Sequence, residues 1–195
     1  MSRMAPPPTD VTIPRIRIPN RSISFLIASM LPEIANAMEY MKKARIGALM
    51  VIERDNSLSE YIEKSKKVYA DISTDLLISI FWPNNPLHDG GVIIQGDKIT
   101  SAGAVFPTSD NLKISKRLGT RHRAALGISE TGDCIALIVS EETGRLSIAM
   151  NGELNYNLTV DEVKLILLEE LRPKKSILLD EEEGDENLDE NTKND

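Results

Sequence analysis

Apolar residues along this chain fall into two patterns, helical spacing of three or four and short unbroken runs, and the two alternate. In "SMLPEIANAMEYMKKA", residues 29–44, a serine cap and an early proline precede Ile34, Met38 and Met41 on one face, which predicts a helix. "IGALMVIE" is a short apolar run bounded by glycine and charge, and predicts a buried strand. "SLSEYIEKS" predicts a short helix, and "STDLLISIFWP" another, capped by Ser73 and stopped before Pro83. "GVIIQGDKITSAGAVFP" predicts a strand pair that turns at Gly96 and Asp97. "RAALGIS" is alanine-rich and helical, its first turn starting at or just before Thr120. "CIALIVS" and "RLSIAM" predict strands on either side of the turn "EETGR". "TVDEVKLILLEELR" predicts a closing helix with Thr159 and Glu162 as a capping box.

Interleaved helices and strands, some strands joined by tight turns, place the chain in the α/β class, with one globular domain around a mixed twisted sheet flanked by helices. The length of 195 residues and 41% apolar content suit one sizeable core. Prolines 6, 7, 8, 14 and 19 forbid a continuous helix at the start, so residues 1–28 are expected to form a proline-rich arm. Residues 29–175 are expected to form the domain, and residues 176–195 an unstructured acidic tail. That tail decides the charge. Asp180 to Asp195 carries nine acids and one lysine, a net of −8 in a chain whose total is −7, so the rest lies near +1. Such a balance speaks against a nucleic-acid surface. The single cysteine, Cys134, sits in an apolar run and reads as a buried thiol, which excludes an internal disulfide and suits a reducing interior. No apolar run nears the ~20 residues of a bilayer span, and the first residues lack a secretory pattern. No membrane span in this chain and a cytoplasmic location are the expectations.

Three short stretches carry candidate chemistry. "TRHR", at the mouth of a helix, combines forked cationic donors with unsatisfied N–H groups, which suits a phosphate; plain surface charge is the alternative. "LHDGG" sets a carboxylate before two glycines where a ligand can approach closely. Asp89 there can bind Mg²⁺ or Mn²⁺ or take a proton from a sugar hydroxyl, although Asp-Gly is also a common turn pair. "SEETG", residues 140–144, brings a hydroxyl and two acids to the end of an apolar strand, or is an ordinary charged hairpin turn. Together the three contain what nucleotidyl transfer needs: phosphate clamps, carboxylates for a divalent metal and a base. There is no P-loop, no dinucleotide fingerprint and no nucleophile elbow.

"PLHDGGVII" and "GTRHRAALGISE", followed by "IVSEETG", resemble the diadenylate cyclases, nucleotidyltransferases that condense two ATP molecules into the second messenger cyclic di-AMP. The family's hallmark motifs are Asp-Gly-Ala and Arg-His-Arg, and the likeness runs from about Met30 to Leu171, through "IGALMVIER" and "NGELNYNLT". The resemblance implies that Asp89, Gly90 and Gly91 match the first hallmark, and Arg121, His122 and Arg123 the second. It implies that Gly119, Thr120 and Ser140 hold phosphates with Arg121 and Arg123, and that Glu142 and His88 join Asp89 around Mg²⁺ or Mn²⁺. Leu76, Val105 and Phe106 could line an adenine pocket, or be core. Gly91 stands where the family usually has alanine, which is expected to loosen its loop slightly. The commonest members of the family begin with membrane-spanning helices; the proline-rich arm in their place implies a soluble variant or a piece freed of them. The resemblance further implies one ATP per protomer and a face-to-face homodimer, with a higher oligomer open. Two other readings use the same pocket: a non-catalytic nucleotide-sensing module, and an ATP pyrophosphohydrolase with water as the nucleophile.

Overall fold

The apolar runs become the middle of a single sheet. A computed structural model describes residues 20–110 and 118–172. Its elements in chain order are α1 (Asn20–Ala44), β1 (Ala48–Glu53), α2 (Ser59–Glu63), β2 (Lys66–Asp71), α3 (Thr74–Phe81), β3 (Gly91–Gln95) and β4 (Lys98–Ala104). They continue with α4 (Thr120–Thr131), β5 (Cys134–Val139), β6 (Leu146–Met150), β7 (Glu153–Leu158) and α5 (Val160–Glu170). The seven strands lie in the order β2-β4-β3-β1-β5-β6-β7. Only β1 and β3 run parallel, so the sheet is mixed, as the alternation of elements predicts.

The central strands β3, β1 and β5 are apolar except at Gln95 and Glu53, because helices cover both faces of the sheet. Ala48, Met50 and Ile52 of β1 point into a core shared with Met38 and Met41 of α1, Leu77 and Ile80 of α3, and Val163 and Leu167 of α5. Leu49 and Val51 point the other way, to Ile62 of α2 and to Ala125 and Ile128 of α4. Each fully buried Leu, Ile or Met contributes roughly 1.5–3 kcal/mol relative to exposure, so this two-sided burial dominates stability.

Local signals fix several element ends. The Ser73 side chain accepts from Leu76 N at the start of α3, and Glu33 of α1 accepts from the Thr74 amide and hydroxyl, both at 2.7 Å. Those bonds hold the Glu33 carboxyl below its usual pKa. Thr159 and Glu162 form the expected capping box at α5. Arg54 ties α5 to the start of β5, pairing with Glu170 at 2.7 Å and with Asp133, just ahead of the strand, at 2.5 Å.

Two expectations need correction. The first helix begins at Asn20, so residues 20–28, assigned to the arm, are helical, and Pro32 lies inside α1 rather than in its first turn. The reason is visible in Ile27, Met30, Leu31 and Ile34, a buried i, i+3, i+4, i+7 set that draws the helix across the proline. Two strands were also not anticipated, β2 and β7, which form the two edges of the sheet. The arm up to Pro19 and the acidic tail lie outside the described residues. Among the described residues no helix is long and apolar enough to cross a membrane.

Candidate active site

Strand register gathers the three stretches at one end of the sheet. Met50 pairs with Val92, Ala48 with Val139, Val139 with Leu146, and Gly91 with Ala104. The starts of β1, β3 and β6 therefore share an edge with the ends of β4 and β5. "LHDGG" enters that edge ahead of β3, and "SEETG" leaves it after β5. The first turn of α4 reaches the same place: Arg121 Nη1 donates to Glu141 Oε2 at 2.5 Å, against the backbone of Gly47 just before β1.

A shallow open cleft lies between the start of α4 and the β5–β6 turn. Gly119, Thr120, Arg121 and His122 line it from the helix, Ser140, Glu141 and Glu142 from the turn, and Tyr156 from β7. Gly119 is the N-cap of α4 and offers no side chain to the first amides, which leaves a helix N-terminus open toward the cleft. Arg121 keeps only a fifth of its side-chain surface in solvent, and its Nε is buried with no hydrogen-bond partner. Arg121 thus brings a largely sequestered guanidinium to the wall of the cleft, which suits an anion.

His122 lies in the floor. It is 5% exposed, its Nε2 is 3.5 Å from Ser147 Oγ, and its ring is 6.0 Å from that of Tyr156. Burial pushes its pKa down, only partly offset by the charge of Glu142. A neutral, buried imidazole is suited to holding the start of α4 in place. Arg123 is exposed and does not line the cleft; two residues along a helix is a rotation of about 200°, so it leaves the helix away from Arg121. Arg121 and Arg123, both expected to hold phosphates, therefore do not line the same cleft.

The acidic loop is held by its own bonds. Asn85 O accepts from His88 N at 3.1 Å and from His88 Nδ1 at 2.5 Å, so Nδ1 carries the proton and Nε2 remains for other work. Asn85 Oδ1 accepts from Leu87 N, and Lys66 Nζ donates to Pro86 O. Gly90 has φ of +95°, and a Cβ there would sit 2.6 Å from Ala104 O; only glycine fits. Asp89 is exposed and makes no hydrogen bond or ion pair among the described residues.

The expected loosening at Gly91 does not occur. A Cβ at Gly91 would stand 2.6 Å from Phe106 Cε2 and 3.2 Å from Leu49 Cγ, so the phenyl edge already occupies the space of the missing methyl. Phe106 belongs to the core on the α2 and α4 side, where its ring meets Tyr61 at 5.3 Å. Leu76 packs on the opposite side of the sheet, with α1 and α3, and Val105 is 83% exposed. These three residues do not share one apolar lining.

The three expected metal ligands are not gathered either. Among the described residues no three His, Cys, Asp or Glu side chains form a metal-holding group. The strand order β3-β1-β5 explains this: Asp89 precedes β3 and Glu142 follows β5, two strand spacings or roughly 10 Å apart. The donor set nonetheless suits Mg²⁺ or Mn²⁺, which are commonly held by one or two carboxylates while phosphate oxygens complete the shell. In the sequence Gly47 and Tyr156 carry no signal of a site, and Glu141 stands only as one of the two acids of the turn. Glu141 lies inside the quoted turn, but nothing in its neighbourhood along the chain separates it from Glu142; Tyr156 lies on an unanticipated strand.

Comparison with known proteins agrees with this geometry. Residues 35–154 match the DAC family, described as DisA bacterial checkpoint controller nucleotide-binding. The chain is 51% identical over 142 residues to a diadenylate cyclase of Listeria monocytogenes, covering 73% of this chain and 52% of that protein. It is 50% identical over 139 residues to the cyclic di-AMP synthase CdaA of Bacillus subtilis, covering 71% and 51%. The chain thus spans about half the length of these two relatives. Among solved structures it resembles DacA from Staphylococcus aureus, crystallised as a double mutant, with a TM-score of 0.71 and 46% identity over 77% of this chain and 98% of that one. With the matched region running from within α1 to within β7 and the three motif stretches meeting at one end of its sheet, the chain belongs to the DAC family.

Proposed function

We propose that this chain is a diadenylate cyclase, converting two ATP into cyclic di-AMP and two pyrophosphates. The observation that carries the reading is the meeting of the Asp89 loop, the start of α4 and the β5–β6 turn at one sheet end, in a chain of this family. Arg121 and the open amides of α4 hold the α-phosphate, with Thr120 and Ser140 at the rim of the same cleft. His122 fixes that helix start from below. Asp89 orients the attacking 3′-hydroxyl and accepts its proton. The 3′-oxygen attacks the α-phosphorus in line, the bond to the bridging oxygen breaks, and pyrophosphate leaves with the electron pair. A second, symmetrical attack closes the ring. Bound Mg²⁺ or Mn²⁺ supplies charge neutralisation at the phosphates and eases ionisation of the hydroxyl. Asp89 is the side chain suited to hold it, with His88 Nε2 beside it in sequence and ATP oxygens completing the set.

In this reading each protomer holds one ATP, and the hydroxyl and the phosphorus that react come from different ATP molecules. Two copies facing each other bring them together, which makes a homodimer the minimal active unit. The separation of Asp89 from Glu142 accords with that reading, since a carboxylate remote within one copy can serve the nucleotide of another.

Incubation with ATP and Mn²⁺ or Mg²⁺, followed by chromatography, tests the proposal. Cyclic di-AMP and pyrophosphate in a one-to-two ratio are expected. ADP or AMP would assign a hydrolase, and unchanged ATP a binding module. Asp89→Asn should abolish product with an unaltered melting temperature; turnover in that variant removes Asp89 from the mechanism.

A further inference from the structure

We propose that Glu141 is a positioning residue for the Arg121 guanidinium, and that Gly47 supplies the space the pair occupies. The proposal deepens the function above and rests on the phosphate-holding reading of Arg121. Arg121 is a long side chain on the first turn of a helix, and nothing in α4 itself fixes its end. Two other elements do. Glu141, on the β5–β6 turn, takes Nη1 at 2.5 Å. Gly47, before β1, lies beneath both groups: a Cβ there would be 2.5 Å from Nη1, 2.9 Å from Cζ and 2.8 Å from Glu141 Oε2. Any side chain at residue 47 therefore displaces the ion pair.

The arrangement also decides which donors remain for a ligand. One N–H of Nη1 is engaged, and Nε is buried against the protein without a partner. Nη2 and the second N–H of Nη1 are the donors left over, and Arg121 lines the cleft with Thr120 and Ser140. Because the guanidinium is planar, holding one corner and burying a second sets the direction of the third. Glu141 keeps 62% of its own side-chain surface, so water shares its charge and the positive charge of Arg121 stays available to an anion. This geometry makes Glu141 an orienting group for Arg121 rather than a competitor for it.

The test uses the full 195-residue chain, with ATP and MnCl₂ and cyclic di-AMP formation as the readout. Glu141→Ala should raise KM for ATP about fivefold with kcat changed less than about twofold, the pattern of weakened uniform binding. Glu141→Gln, which retains an oxygen acceptor for Nη1, should restore most of the loss. Gly47→Ala should raise KM in the same way, with melting curves establishing that the variant is folded. In an Arg121→Ala background the Glu141→Ala change should have no further effect, because Glu141 acts only through Arg121. An unchanged KM in folded Glu141→Ala and Gly47→Ala overturns the proposal, as does a lowered KM, which would make Glu141 a competitor. An additive effect in the Arg121→Ala background overturns it too. Wild-type turnover in Arg121→Ala is a different failure, since it removes the phosphate role on which the proposal rests.

Discussion

Restoring the family's usual alanine at position 91 should harm this chain. The ideal Cβ of residue 91 lies 2.6 Å from Phe106 Cε2, whereas carbon atoms pack at about 3.5–4.0 Å, so something must give way by about 1 Å. Leu49 closes the other side, with its Cγ and carbonyl oxygen both at 3.2 Å. The phenyl ring cannot retreat cheaply, because it is buried and stacked at a tilt on Tyr61. Overpacking of this kind costs about 1–3 kcal/mol, which in a body of this size lowers the melting temperature by roughly 3–10 °C. Asp89 is two residues away, so the displacement should also reach the reacting groups, where misplacement by 1 Å can cost on the order of a hundredfold in rate. Thermal unfolding by circular dichroism and cyclic di-AMP turnover read the two effects. Phe106→Leu in the same chain removes the colliding atom, and Gly91→Ala with Phe106→Leu should recover both stability and rate relative to Gly91→Ala alone. A Gly91→Ala single variant that melts at or above the wild-type temperature would refute the reasoning.

Three further outcomes follow from local chemistry. Thr159→Ala removes the side-chain half of the α5 capping box, the acceptor for Glu162 N, while the backbone N–H of residue 159 still donates to Glu162 Oε2; it should lower the melting temperature by about 2–4 °C, and an unchanged curve would deny that cap a role in stability. Cys134 is fully buried and its thiol is pushed up to about 11, so iodoacetamide at neutral pH should leave the native protein unlabelled and react only after denaturation; labelling of the folded chain contradicts this. His122 titrates below its ordinary value of 6.5 because it is buried, so the unfolded chain takes up the proton first. Its contribution to stability is complete above pH 6.5 and declines as the pH falls from there toward the lower folded-state value. His122→Gln should flatten the stability profile in that window, and an identical slope in the variant would exclude His122 as the source.

The fold was legible wherever burial leaves a mark in the sequence. β1 and β5 are covered on both faces, so each reads as an unbroken apolar run, and the Ser73 and Thr159 caps announce the helices that follow them. The edges leave no such mark. "KKVYAD" and "ELNYNL" bury none of their side chains fully and join the sheet through backbone pairing, which any sequence can offer. Both also break the extended pattern: Tyr69 and Asn157 have φ of 50° and 64°, and β2 shifts register between Lys67 and Ala70. Pro32 misled for the opposite reason. A proline near a serine normally marks a first turn, but four buried apolar residues spanning it stabilise the helix more than one absent backbone bond weakens it.

In the site, the residue types were legible and their directions were not. α4 buries every residue from Ala125 to Ser129, and in its first turn His122, which alone marks the inward face there. Arg121 and Arg123 stand about 100° to either side of His122, so the buried histidine separates them. Arg121 turns toward the β5–β6 turn and Glu141, while the backbone carbonyl of Arg123 meets Ser109 N on the segment after β4. The motif is thus not a fork of two equivalent arginines but a wedge, its centre anchored in the core and its flanks in different surroundings. The same limit applies to Gly91 and Phe106. They are fifteen positions apart in the chain and become neighbours through the β3–β4 hairpin, which sets Gly91 opposite Ala104. Reading position 91 along the sequence alone suggests a lost methyl and a looser loop. The pairing supplies the phenyl edge that takes the methyl's place, so the departure at one position is answered by a bulky residue just past the neighbouring strand.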